Sequence, residues 1–174
     1  SNSKAWLALG RTLHASGSAS DATAALAHAL ALDPSSGHTA QAMGRALEAT
    51  GQHEHALAQY KAAATLRVRD PAPLISIGSL VLARGDAAMA MQSFKAAAAL
   101  DPANADTISH LVKAATVDGR LEEAEHFARQ ALRAAPLRAA PRRALVGVLE
   151  KQGRDADAAQ ERLKAATMEL DEIW

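Results

Sequence analysis

Apolar residues recur along this chain at helical spacing, broken at regular intervals by a single glycine. Near the N-terminus Trp6, Leu9 and Leu13 share one helical face, and Gly17 follows. Glycine just past such a run stops a helix, because it enters the left-handed region without a Cβ clash. Ala22, Leu26, Ala29 and Leu30 make a second stripe, which Pro34 ends; the residue before a proline disfavours the helical conformation. The pattern predicts helix, tight turn, helix.

The same pattern returns every 34 residues. Gly17, Gly51, Gly85, Gly119 and Gly153 form one column, and Ala22, Ala56, Ala90, Ala124 and Ala158 another. Glycine makes up about 7% of ordinary sequences, so five at preset offsets are not accidental. The chain therefore divides into units 3–36, 37–70, 71–104, 105–138 and 139–172, one array over 3–172, with Ser1-Asn2 read as a cloning remnant. No unit of this kind buries its apolar face alone, so stacking supplies the core. Asp33-Pro34, Asp101-Pro102 and Pro136 mark three junctions, while the second places Val68 in the proline column and Asp70-Pro71 three residues later. Asp70 is expected to cap the next helix with Pro71 as its first residue, and Asn104 to cap the fourth unit's first helix. The weak cap Arg138 puts the start of the fifth unit's first helix at or near Pro141.

Small residues predict close helix crossings: Gly10 opposite Ala22, Gly44 opposite Ala56 and Gly78 opposite Ala90. Val112 and Val146 occupy the glycine column in the last two units, where wider helix pairs are expected. The runs Ala62–Ala64 and Ala96–Ala99 keep the helical period and are expected to make tight contacts.

Composition narrows the function. Abundant alanine favours an all-α fold. The chain has 19 basic and 19 acidic residues, a formal net charge of zero, which speaks against nucleic acid or an anionic membrane as the main partner. It has no cysteine, hence no disulfide framework or thiolate metal site. With no apolar run long enough to span a bilayer and no visible signal peptide, a cytoplasmic location is the expectation.

The pattern resembles the tetratricopeptide repeat. The period matches, and so do Trp6, Leu9-Gly10, Leu13, Ala22, Leu26, Ala29 and Pro34 in the first unit. Met43-Gly44, Leu47, Ala56, Tyr60 and Ala63 follow in the second, and Ile77-Gly78, Val81, Ala90, Phe94, Ala97 and Pro102 in the third. The fourth keeps Leu111, Ala124, Ala131 and Pro136, and the fifth Leu145, Leu149, Ala158 and Ala165. The resemblance implies an all-α right-handed superhelical solenoid that binds a peptide or protein segment in its concave groove. The RNA-binding pentatricopeptide family has a similar period but lacks this Leu-Gly and Ala signature.

The repeat register puts the first helices on the groove. It should present Lys4, Leu7, Arg11 and His14, then His38, Gln41 and Arg45, then Ile75, Ser76 and Ser79. Ser109, His110 and Lys113 follow, then Arg143. The resembled family's chaperone-tail carboxylate clamp would fall on Leu7, Arg11, Ala42, Ala72 and Ser76, or on the equivalent positions one or two units later, and no register reproduces it. A mildly basic groove for some other segment, an acidic one or a C-terminus, is the expectation.

Catalytic chemistry is not evident. His53-Glu54-His55 places its two histidines on different helical faces, and the zincin position four after His53 is Leu57; metal binding is not expected there. No phosphate loop, nucleophile elbow or apolar carboxylate pair is visible. The chain reads as non-enzymatic and without a cofactor: a free-standing adaptor, or else the recognition module of a larger enzyme such as a glycosyl- or sulfotransferase. A third reading is self-association. Arg162 in the outward column of the last helix suits an array that stops at the fifth unit. The stripe Leu163, Ala166, Leu170 and Ile173, with Trp174 beside it, is expected to meet a second copy of the chain or a following domain.

Overall fold

The structure is a computed structural model that describes residues 2–102, 104–136 and 139–171, with side chains as far as residue 167. The described residues form ten α-helices in five pairs. They are α1 (Asn2–Ala15), α2 (Ala19–Leu32), α3 (Gly37–Ala49), α4 (His53–Leu66) and α5 (Ala72–Ala83), then α6 (Ala87–Leu100), α7 (Ala105–Val117), α8 (Leu121–Ala134), α9 (Ala139–Lys151) and α10 (Asp155–Asp171). They divide within α5 into two compact units larger than a repeat, called the first unit, which ends at Leu80, and the second unit, which starts at Val81, from here on.

The five turn glycines all have positive φ, from 72° to 91°. A Cβ on any of them would meet nothing within 4 Å. The backbone angle alone, not crowding, therefore demands glycine. Each turn also brings the chain back by a hydrogen bond from the residue after the glycine, as from Gln52 N to Leu47 O at 2.9 Å.

The remaining ends obey local capping chemistry. Asp70 Oδ1 accepts from Ala72 N at 2.8 Å and Asn104 Oδ1 from Thr107 N at 2.9 Å, so both expected caps form. Helix α5 begins at Ala72 rather than Pro71, one residue late. Helix α9 begins at Ala139, two residues before the expected start at Pro141. The first four N–H groups of a helix have no internal partner, so a proline in the first turn forfeits nothing.

In the first unit α1 packs on α2, α2 on α3 and α3 on α4, and α1 also reaches α3. Leu26 joins Ala22 and Ala46 in one core cluster, and Tyr60 joins Ala56, Ile77 and Leu80 in another. In the second unit α6 to α10 pack in sequence, with α7 reaching α9. Phe94 there stacks on His110, ring centroids 4.9 Å apart. Leu26, Tyr60 and Phe94 thus each meet the following repeat. Coverage by a preceding repeat also shows in one column: Leu9 is 45% exposed, whereas Ile77 falls to 8%, Leu111 to 2% and Leu145 to 1%. Of the alanine runs, only Ala63 and Ala97 are buried, because a 3.6-residue period brings one residue of each run to the inner face.

The crossing glycines face a different neighbour from the one expected. A Cβ on Gly10 would stand 2.5 Å from Leu26 Cγ, and one on Gly44 2.5 Å from Tyr60 Cε1. The partner is the large side chain 16 positions on, one turn beyond Ala22 or Ala56. The same register pairs Val112 with Ala128, both buried, and Val146 with Arg162, which line one cavity of α9 and α10. At Val112, where the first helix gains methyls, the second gives up bulk at Ala128.

This size exchange is testable by a double-mutant cycle. Gly44→Ala is expected to destabilise by about 1–3 kcal/mol through overpacking against Tyr60. In a Tyr60→Ala background the same change should instead stabilise, by up to about 1 kcal/mol, through alanine's helix preference. Urea melts of the four proteins check this, and additive effects would contradict it.

Candidate functional site

The adjacency of α1 and α3 creates a cavity of about 440 Å³ in the first unit. Arg11 and His14 reach it from α1, and His38, Gln41 and Arg45 from α3. These five are sequence-predicted groove residues. Arg67, at the C-terminus of α4, also lines the cavity and was not anticipated. The signal was present at the irregular second junction, where the proline column holds Val68. Gly37 completes it: a Cβ there would stand 2.6 Å from Arg67 Cγ and 3.1 Å from Leu66 Cβ. The absent side chain leaves room for the arginine stem.

Arg67 is the half-buried member of the cation group, while Arg11 and Arg45 are exposed. Its side chain is 17% exposed and is paired with Asp70, 29% exposed. Its other terminal nitrogen donates to Gln41 Oε1. Desolvation, and then the neighbouring Arg45 charge, lower its pKa. Two polar atoms of the cavity residues, Gln41 Nε2 and His14 Nδ1, are buried without a hydrogen-bond partner in the chain. Glu48, on the same helix as Arg45, accepts a 2.7 Å hydrogen bond from the Tyr60 hydroxyl. Burial first, and then this acceptor, push the Tyr60 pKa up.

A second cavity, about 330 Å³, lies between α7 and α9 in the second unit. Ser109, Lys113 and Arg143 line it as predicted, joined by Lys151 and by an apolar floor that includes Val112 and Val148. The other predicted residues line neither cavity. Lys4 is exposed, Leu7 packs against the Leu26 cluster, and Ile75 and Ser79 are half-buried. Ser76 Oγ donates to Ala72 O at 3.1 Å. His110 is held in the Phe94 stack. Burial, and then Lys113, lower its pKa against the smaller opposing effect of Asp106.

Among the described residues, no group of three or more His, Asp or Glu side chains could hold a metal ion. His53 and His55 are exposed at the start of α4. No described helix is long and apolar enough to cross a membrane. At the C-terminal edge Arg162 is exposed and paired with Glu150, and Leu163 is 68% exposed. The side chains of Leu170, Ile173 and Trp174 lie outside the described residues.

No known family profile matches the chain. No curated protein matches it either. Solved structures do. A MamA fragment from Desulfovibrio magneticus RS-1 superposes with a TM-score of 0.85 at 20% identity, covering 97% of this chain and 96% of that one. PilF of Pseudomonas aeruginosa gives 0.82 at 20% identity over 95% of this chain and 76% of the other. YrrB, described as a TPR protein with an unusual peptide-binding site, gives 0.75 at 15% identity over 97% and 87%. The fold is that of the tetratricopeptide repeat. In tetratricopeptide terms, the first-unit cavity sits on the face shared by successive first helices. Ala42 and Ala72 carry only methyls, and both line the cavity.

The stacked histidine gives this fold a pH dependence. With its folded pKa below the ordinary 6.5, His110 resists charging in the native state. Its contribution is intact above 6.5 and is lost as pH falls from there through the folded value. Denaturant melts across that range should show His110→Gln losing less stability on acidification than the parent. Equal losses would mean that His110 titrates as a solvated group.

Proposed function

We propose that the chain is a non-catalytic protein-interaction scaffold that holds an acidic segment, or a C-terminus, along the face of its first helices. The observation that carries this reading is the gathering of Arg11, Arg45 and Arg67 at one cavity of a chain whose formal charge is zero. The opposite charge goes elsewhere: Glu122 and Glu123 open α8, and Asp155 and Asp157 open α10. Acidic residues are favoured at such N-termini by the helix dipole, which leaves the first-helix face to cations. Carboxylates near the cavity already have partners, Asp70 in Arg67 and Glu48 in Tyr60, which argues against a general acid or base there. The likeness to YrrB supports a peptide as occupant. Complementary charge would chiefly set encounter rate and specificity.

Titrating a peptide library against the chain at low and high salt tests this. Acidic peptides should be preferred, binding should weaken as the screening length shrinks from about 10 Å at 0.1 M to about 3 Å at 1 M, and Arg45→Glu should lower affinity about tenfold. A preference for basic peptides, or indifference to Arg45→Glu, would overturn the reading.

A further inference from the structure

Glycines within the helices of this chain seat large side chains. A Cβ on Gly10 or Gly44 would stand 2.5 Å from Leu26 or Tyr60 of the second helix, and one on Gly37 2.6 Å from the Arg67 stem. Gly147, in the middle of α9, departs from this rule. A Cβ there would meet nothing within 4 Å, and its φ is not positive. Neither a turn nor a crossing inside the chain therefore calls for glycine, which weakens a helix interior. The repeat register sharpens the point. The same column carries Arg11, Arg45, Ser79 and Lys113 in the earlier repeats.

The missing side chain opens α9 on both flanks. Gly147 lines the α7–α9 cavity of about 330 Å³ and also one of about 300 Å³ between α9 and α10. Val112 and Val148 floor the first, and Lys113, Arg143 and Lys151 border it with no acid among its lining residues. Val146 and Ala165 line the second. An apolar side chain flanked by carboxylates complements such a trough. The chain itself carries a segment of that make-up. Helix α10 bears the stripe Leu163, Ala166, Leu170 and Ile173, with Glu169, Asp171 and Glu172 interleaved at its end. Leu163 is 68% exposed and Ala166 is exposed, so their face of α10 is turned away from its own core. Leu170 lies eight positions past Arg162, which lines the second cavity. That is about 12 Å further along the same helix, so a copy cannot lay Leu170 over its own Gly147.

We propose that two copies of this chain associate through their fifth repeats, the α10 stripe of each crossing α9 of the other at Gly147, with Leu170 seated over the glycine. Seat and stripe belong to the same repeat, so a two-fold arrangement fills both seats and closes as a dimer. The contact follows the rule used inside the chain, where a second helix lays a large side chain on a first-helix glycine. It goes beyond the segment-binding reading and does not depend on it.

The mass of the full chain in solution against concentration, by analytical ultracentrifugation, tests the proposal. The parent should form dimers, and Gly147→Leu should weaken them at least about tenfold by filling the seat from within. The same substitution should leave the fold intact and the unfolding midpoint at or above the parent's, since the position is open and leucine prefers a helix. Leu170→Glu should weaken the dimer to the same degree. Leu32→Glu, which alters an exposed leucine of α2, should leave it unchanged. Mixing reads the geometry. Gly147→Leu keeps the stripe and Leu170→Glu keeps the seat, so an equimolar mixture should associate more tightly than either variant alone. A parent that stays monomeric up to about 1 mM, a dimer indifferent to Gly147→Leu, or a mixture no tighter than its components would overturn the proposal.

Discussion

The close crossing of the two helices in a repeat governs the other features of this structure. Gly10 and Gly44 leave no Cβ at the crossing, and Leu26 and Tyr60 fill the space. A large side chain seated this way is buried from both directions, by its own first helix and by the next repeat. That is why Leu26 and Tyr60 are at most 1% exposed although they lie on second helices. When the glycine becomes Val112, the partner becomes Ala128, an exchange of volume across the crossing. Core packing at near-crystalline density tolerates such paired exchange better than either single change.

Packing of this kind leaves successive first helices side by side, as α1 with α3 and α7 with α9. Their outer faces need no apolar residues, so they are free to carry chemistry. The acidic residues that open α2, α4, α8 and α10 serve helix termini, whereas among first helices only α7 has one in its first turn, Asp106. Charge is therefore segregated by element although the sum is zero. In the first unit one cation, Arg67, is drawn inward from a second-helix terminus, held between Gln41 and Asp70.

Much of this was legible in the sequence. The glycine column gave the turns because a positive φ has one common solution, and the apolar stripes gave the helices because burial imposes their period. Arg11, Gln41 and Arg45 were readable from register alone. Arg67 was not, because register carries no information about a side chain at an irregular junction that folds back over a glycine. The partner of Gly10 was misassigned by one turn, since sequence spacing does not encode the direction of a missing Cβ. His110 was placed on the groove by register and found against Phe94, because an amphipathic ring gains more from stacking there than from water.

Arg67 is an inward cation held between Gln41 and Asp70, and its guanidinium dynamics report on this most directly. In ¹⁵N spectra of the arginine side chains, Arg67 should show slow rotation about its terminal C–N bond and protected N–H protons, with Arg69 as the solvated reference. Loss of Gln41 or Asp70 should release it. Rapid rotation of Arg67 indistinguishable from that of Arg69 would contradict the account.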